Sequence, residues 1–231
     1  MASSLGLQRI ALLEGLSPER LDALARQCAW RNFEAGQRIL SREAPDRDVY
    51  LVVSGRVRVT IYSASGRQVT FRDIQAGELF GEVAAIDGMP RSADVVALES
   101  GLTASIPPSV FRDLLRDEPR VAERVLQRLA GLVRRMSARV IDLSTLNVHS
   151  RIHAELLRLA REAGVSGNAA RIAHAPTHAE LASQVSTYRE EVSRELSSLS
   201  KAGVVAREGP ALVIRDVARL QALVEGAKPT A

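Results

Sequence analysis

Apolar positions recur along this chain with two different periods, and the changes of period divide it. Leu13, Leu16, Leu21, Leu24 and Ala25 stand at helical intervals, and Ser17-Pro18-Glu19 has the form of an N-cap followed by proline at the first helical position. After Trp30 the period shortens. From Phe33 to about Pro107, short β-branched runs alternate with glycines 36, 55, 66, 77 and 81, the pattern of many short strands joined by tight turns. Val49, Leu51 and Val53 alternate before Ser54-Gly55, and Val57, Val59 and Ile61 alternate after it. This predicts a hairpin whose strands each have one buried and one solvated face. Two further strands are expected at Ala93–Leu98 and Leu102–Ile106, before Pro107-Pro108-Ser109 opens a second helical region.

The helical period then dominates. Between Pro119 and Leu146 there is no proline, and Val125, Leu129, Leu132, Met136, Val140 and Leu143 form a seam with spacings of three and four. A helix over about 117–146 would be about 40 Å long at 1.5 Å per residue. Its seam suits either an ordinary surface helix packed on its own domain or an intermolecular coiled coil, and the length favours the second. A helix from Val148 to Glu162 and a polar, glycine- and alanine-rich loop over Ala163–Ala175 follow. The remainder reads helix, turn, helix, hairpin, helix. The division falls near Leu146–His149, giving domains 1–147 and 148–231. The fold class expected is α+β, with an N-terminal jelly-roll-like β-roll, a long helix and a C-terminal winged helix-turn-helix.

The C-terminal part carries the sharper local signals. Thr177-His178-Ala179-Glu180 fits a capping box that starts a short helix running to about Val185. Ser186-Thr187 is the turn, Tyr188–Lys201 the second helix, and Ala202-Gly203 its end. Val204–Ala206 and Ala211–Ile214 around Arg207–Pro210 supply a wing. With Arg189 at zero on the second helix, Glu190 lies at about 100° and Arg194 at about 140°, whereas Val192, Leu196 and Leu199 fall at roughly 280–340°. The apolar arc can dock while the charged arc faces outward. An arginine fork matches the acceptors of guanine in the major groove, and a carboxylate can accept from the cytosine amino group. Glu190 and Arg194 suit an i,i+4 surface ion pair equally well.

Composition narrows the classes. The 231 residues are 46% hydrophobic, with 31 basic against 27 acidic side chains and a formal charge of +4. That excess is compatible with a polyanionic partner but equally with an ordinary mixed surface. One cysteine, Cys28, allows no internal disulfide and too few thiolates for an iron–sulfur cluster. All four histidines, 149, 153, 174 and 178, lie beyond the β-rich region, which leaves no histidine there as axial ligand for a haem. His149 and His153, one turn apart, could share a metal, but read more simply as polar helix residues near the hinge. No apolar run reaches the roughly 18 residues of a membrane span, and the N-terminus lacks an export pattern, so a cytoplasmic protein is expected. No nucleophile–base pair stands out, and no enzyme is expected.

In the β-rich region, Gly77–Ala85 (GELFGEVAA) followed by Pro90-Arg91-Ser92-Ala93 has the parts of a phosphate cradle: close backbone approach at glycine, a short helix start and one arginine. A generic turn beside a surface arginine would use the same residues.

The run THAELASQVSTYREEVSRELSSLSKAG, Thr177 to Gly203, resembles the helix-turn-helix of the CRP/FNR regulators. Arg189, Glu190 and Arg194 match that family's base-reading positions, with Thr177, Tyr188 and Ser193 beside them. The resemblance implies a two-fold homodimer, joined through the long helix, on double-stranded DNA with TGTGA-like inverted half-sites, a docking mode for which a member of this family is a standard example. It also implies RNA polymerase as a partner. Ser186 stands where such turns often have glycine, and Tyr188 where a small hydroxyl cap is usual. The order FEAGQRIL, VYLVVSGRVRV, GELFGE and RSA resembles the cyclic-nucleotide-binding domain. Carried over, Phe80, Gly81 and the amides of Val83 or Ala84 lie against the ribose-phosphate, Glu82 accepts from the 2′-hydroxyl, and Arg91 and Ser92 hold the phosphate. Met136 and Ser137 fall where the family's long helix carries a threonine-serine pair against the base. Methionine offers no comparable hydrogen bond, and Ser92 supplies a hydroxyl of the kind that favours guanine, so cAMP and cGMP both remain as the allosteric effector, with no prosthetic group. A ligand-independent regulator with a vestigial cassette is the alternative.

Overall fold

The computed structural model describes residues 4–62, 68–173 and 175–226; the turn expected at Gly66 and His174 lie outside the described residues. In chain order the elements are α1 (Ser4–Leu7), α2 (Pro18–Arg26), β1 (Ala29–Phe33), β2 (Arg38–Leu40), β3 (Val49–Ser54), β4 (Arg56–Tyr62), β5 (Gln68–Gln75), β6 (Leu79–Phe80), α3 (Glu82–Asp87), β7 (Asp94–Ala97), β8 (Gly101–Ile106), α4 (Pro108–Asp117) and α5 (Pro119–Thr145). Then come α6 (Val148–Ala163), β9 (Val165–Ser166), β10 (Ala169–Ile172), α7 (His178–Gln184), α8 (Arg189–Lys201), β11 (Val205–Glu208), β12 (Ala211–Ile214) and α9 (Val217–Glu225). The chain divides within α5 into two compact units, Met1–Leu132 and Val133–Ala231. Among the described residues no helix is long and apolar enough to cross a membrane.

The first unit holds two antiparallel four-stranded sheets, β1-β8-β3-β6 and β2-β7-β4-β5. The expected hairpin does not form. Strand β3 pairs with β8 and β6, whereas β4 pairs with β5 and β7, so Gly55 is where the chain leaves one sheet for the other. One residue between strands is too short for a two-residue hairpin loop. Consequently β3 is buried on both faces instead of one. Val49 and Leu51 face a core shared with Leu7, Ile10, Leu21, Phe111 and Val125, while Tyr50 and Val52 face an inter-sheet core with Phe33, Val57, Phe80 and Val95. The two strands expected at Ala93–Leu98 and Leu102–Ile106 are present and likewise fall in different sheets.

The corner demands small residues. Gly55 has φ +83°, and a Cβ on Gly101 would stand 2.1 Å from the Ser54 carbonyl oxygen and 2.6 Å from the Phe33 ring. Gly101→Ala is therefore expected to destabilise the first unit by about 2 kcal/mol or more, because backbone rather than a movable side-chain end must give way. Thermal unfolding checks this; an unchanged melting temperature would contradict the packing.

Ser17 caps α2 by accepting from the Arg20 amide at 3.2 Å, with Pro18 at the first helical position as expected. The helix expected over 117–146 is α5, Pro119–Thr145. Its seam needs correction, because Val125 is buried among the core residues and Leu129 packs on the same cluster. Of the expected seam, Val140 at 63% and Leu143 are exposed; the other exposed apolar positions of the helix are Leu126 at 66%, Val133 at 64% and Ile141, and Leu126, Val133 and Val140 stand seven residues apart. Seven residues are about two turns, so these three share one stripe.

In the second unit α6, α7, α8 and α9 pack around Ile152, Leu156, Leu181, Val192, Leu199, Ile214 and Leu220. The stretch 163–175, expected as a loop, contains a hairpin: β9 and β10 join a sheet ordered β11-β12-β10-β9. Ala170 pairs with Ile214 and Ile172 with Leu212. Gly167 turns the hairpin at φ +61°, and the Asn168 side chain accepts from the Ala218 amide at 2.8 Å and donates to Asp216 at 2.9 Å. The signal was the Ser-Gly-Asn turn; strands as short as Val165-Ser166 and Ala169–Ile172 carry no alternating β-branched run to accompany it.

Candidate functional site

The cassette is built where β6 runs into α3. Phe80 is buried and stacks on Tyr50, ring centroids 5.0 Å apart and 4° from parallel. Gly81 follows at φ +87°, with no room for a side chain: a Cβ would lie 2.7 Å from Arg91 Nη1 and 2.8 Å from the Asp48 carbonyl oxygen. Arg91 is only 3% exposed. Its guanidinium donates to the carbonyls of Gly81 at 3.0 Å and Asp48 at 2.7 Å, pairs with the Asp46 carboxylate at 2.5 Å, and lies 5.7 Å from the Tyr50 ring centre. A buried cation has thus been brought against the glycine of the cassette, with Asp46 as its anion. Asp46 was not among the residues expected; its signal was only position, in the loop before β3.

Glu82, also buried, receives the Nε of Arg128 at 3.4 Å. Arg128 lies on α5 and donates further to Glu78 at 3.5 Å and to the Leu79 carbonyl. The carboxylate expected at a ribose is therefore tied to the long helix, a link the sequence pattern did not predict. Val83 is half-buried, Ala84 buried and Ser92 exposed. Met136, half-buried, and Ser137, exposed, lie on the part of α5 that belongs to the second unit. Burial pushes the Cys28 thiol up to about 11, so it stays protonated at neutral pH.

The second site is the helix-turn-helix. Thr177 and Glu180 form the expected capping box, Thr177 Oγ1 accepting from the Glu180 amide at 3.2 Å and Glu180 accepting from the Thr177 amide at 2.8 Å. Ser186 adopts φ +55°, the left-handed backbone that glycine would hold without strain. Ser186→Gly should raise stability by about 1 kcal/mol, less the loss of a 3.3 Å hydrogen bond from Arg139 to the serine hydroxyl. A denaturant titration checks the sign. Tyr188 occupies the N-cap of α8 without a side-chain capping bond, as its chemistry implies.

Arg189 and Glu190 are exposed, and the Arg194 side chain is 70% exposed. Arg194 pairs with Glu191, one turn back, instead of with Glu190. Ser193 sits between helices, within 2.7 Å of His178 Nδ1, and its hydroxyl donates to the Arg189 carbonyl at 3.0 Å. Burial, then the charges of Arg207 and Arg189, hold the His178 ring below the usual imidazole range. Arg207 is on the wing, so recognition helix and wing direct positive charge onto the same histidine.

His149 and His153 converge on Glu195, Nδ1 of the first lying 2.5 Å from Oε2 and Nε2 of the second 2.6 Å from Oε1. Among the described residues no group of three or more metal-ligating side chains is arranged to hold an ion. Burial pushes the Glu195 carboxyl up, but the bonds and charges of His153 and His149 outweigh it and leave the group below its ordinary value of 4.5. A depressed carboxyl contributes stability that is present above its unfolded value and lost as pH falls through the folded one. Glu195→Gln should therefore shorten the fall in stability below about pH 4.5, read as a melting temperature that drops less on acidification than that of the wild type.

These sites coincide with two family models, the cyclic nucleotide-binding domain over residues 30–118 and the Crp-like helix-turn-helix domain over residues 150–223. The chain is 33% identical over 216 residues to the Cyclic AMP receptor protein of Thermus thermophilus, covering 93% of this chain and 97% of that one. It is 28% identical over 215 residues to the CRP-like cAMP-activated global transcriptional regulator of Mycobacterium tuberculosis, covering 93% and 96%. Among solved structures, a mutant of CooA from Carboxydothermus hydrogenoformans shares the fold at TM-score 0.79 and 19% identity, covering 98% of this chain and 96% of that one. A cyclic nucleotide-binding module followed by a Crp-like helix-turn-helix, matched along nearly the whole of a relative, establishes that the chain belongs to the CRP/FNR family of DNA-binding transcription regulators.

Proposed function

We propose that the chain is a cytoplasmic, cyclic-nucleotide-responsive regulator that takes cAMP or cGMP as allosteric effector and, as a homodimer, reads a TGTGA-like inverted repeat to direct RNA polymerase. The observation that carries the sensing half is the buried Arg91 fork against Gly81, opposed by the Asp46 carboxylate. A phosphate is a second anion able to satisfy that fork, and exchanging one for the other costs less than burying an unpaired cation. Arg91 and Ser92 would hold the phosphate, Gly81 with the amides of Val83 or Ala84 would border the ribose-phosphate beside Phe80, and Glu82 would accept from the 2′-hydroxyl. Met136 and Ser137 would meet the base, with Ser137 as the hydrogen-bonding member.

The effector acts only through differential affinity for two states of the regulator. Glu82 offers the coupling, because the ribose would compete with Arg128 of α5 for its carboxylate. The stripe Leu126, Val133 and Val140 would seat the second copy. Domains 1–147 and 148–231 then serve as sensor and reader. The alternative of a vestigial cassette has its own support, in that Arg91 is already paired by Asp46. Calorimetric titration with cAMP and with cGMP, followed by binding to a palindromic TGTGA duplex with each and without either, separates the two. Micromolar binding of one nucleotide that strengthens DNA binding is expected; no binding of either would leave the vestigial reading.

A further inference from the structure

On the recognition helix, Glu195 lies at about 240° from Arg189, at the edge of the apolar arc and away from the base-reading side. It is 9% exposed, and His153 opposite it is 7% exposed. The remaining Nδ1 of His153 is buried with no hydrogen-bond partner among the described residues. In the neutral ring the proton therefore belongs on Nε2, donating to Glu195 and leaving only an acceptor unpaired. A buried carboxylate and an underpartnered imidazole form an expensive way to join two helices. Apolar side chains of similar volume would hold them at least as firmly.

What the pair adds is direction. Elsewhere α8 is held by Val192 and Leu199 in the apolar core and by the Ser193–His178 bond to α7. Apolar contact is non-directional and leaves a helix free to roll by small amounts. Two bonds from residues one turn apart on α6, each to a different oxygen of one carboxylate, fix both roll and height. The same first turns of α6 hold the helix-turn-helix turn: Arg151 donates to the carbonyls of Leu146 at 2.9 Å, Val185 at 3.0 Å and Ser186 at 3.3 Å. Residues 149, 151 and 153 thus reach the end of α5, the turn and the recognition helix together.

We propose that Glu195, clamped by His149 and His153, is a positioning residue that sets the roll of α8 and so the aim of Arg189, Glu190 and Arg194 at base edges. This rests on the reading of that trio as the DNA-contacting face. Guanidinium tips stand farther from the helix axis than its backbone, so a small roll displaces them most. Phosphate contacts, which tolerate such displacement, would be spared.

The test compares affinity for a duplex that the wild-type protein itself enriches from a random pool with affinity for a scrambled duplex, at one salt concentration. His153→Leu combined with Glu195→Leu replaces the clasp by apolar contact. It is expected to melt near the wild-type temperature and to lose at least about tenfold in the affinity ratio, with scrambled-duplex affinity unchanged. Glu195→Gln, which keeps the shape and one acceptor oxygen, should recover most of the ratio. A double variant that melts and discriminates like wild type overturns the proposal. If the double variant does not fold, His149→Ala decides: its ring is half-exposed, and about a threefold loss of ratio supports the clasp, whereas none overturns it. Should the wild-type protein enrich no sequence, the DNA reading fails first and the clasp with it.

Discussion

Arg91→Ala should weaken cyclic-nucleotide binding by roughly 30-fold or more, because truncating one member of a buried, hydrogen-bonded charge pair costs about 2–5 kcal/mol. The guanidinium makes three kinds of contact at once, with carbonyls of Gly81 and Asp48, with Asp46, and with the Tyr50 ring. Arg91 is the arginine of the Gly77–Ala93 segment, and its fork lies directly against Gly81. Arg91→Lys keeps the charge but loses the fork, and should fall between the two, about tenfold weaker than wild type. Asp46 is 42% exposed, so water can solvate it once its partner is gone and the unit should still fold. Calorimetry with cAMP and cGMP measures the loss, and a melting curve without nucleotide separates it from misfolding. Equal affinity in Arg91→Ala and wild type would mean that phosphate binds elsewhere or not at all.

That arginine was legible in the sequence, and its partner was not, for a physical reason. Gly81, Glu82 and Arg91 lie close in sequence, within one loop-helix-loop segment, so their order could be read as a motif. Asp46 reaches Arg91 from 45 residues away, and Arg128 reaches Glu82 from 46 residues away. Pairings across such separations depend on sheet order, and sheet order was where the period-two pattern misled. Alternation in Val49–Val53 identified a strand but could not say that both faces would be covered, nor that Gly55 would carry the chain into the other sheet. The helical half suffered less, since a 3.6-residue period assigns a face directly. It placed Arg189, Glu190 and Arg194 outward and the capping box at Thr177. Even there it missed Glu195, although an acidic residue beside an apolar arc is itself a sign that a partner waits on the neighbouring helix.

Arg194→Ala should weaken binding to the specific duplex by about 1–3 kcal/mol, roughly 5- to 150-fold, while changing affinity for a scrambled duplex by much less. Arg189→Ala should do the same at a different base pair. The contrast follows from what the side chains touch. An arginine that forks onto guanine acceptors loses its contribution only where guanine is present, whereas one that meets phosphate loses it on every sequence and lowers the salt slope. Arg207, on the wing and off the base-reading helix, is expected to act as the second kind. Arg207→Ala is therefore expected to weaken both duplexes together. Arg194 must leave Glu191 to reach a base, and that exposed pair, worth no more than about 1 kcal/mol, is a small opposing cost. Glu191→Ala should then strengthen specific binding slightly where Arg194→Ala lowers discrimination. Fluorescence anisotropy with single base-pair changes in each half-site reads all four variants, and if Arg194→Ala lowered specific and scrambled binding equally, the assignment of that residue to base reading would be wrong.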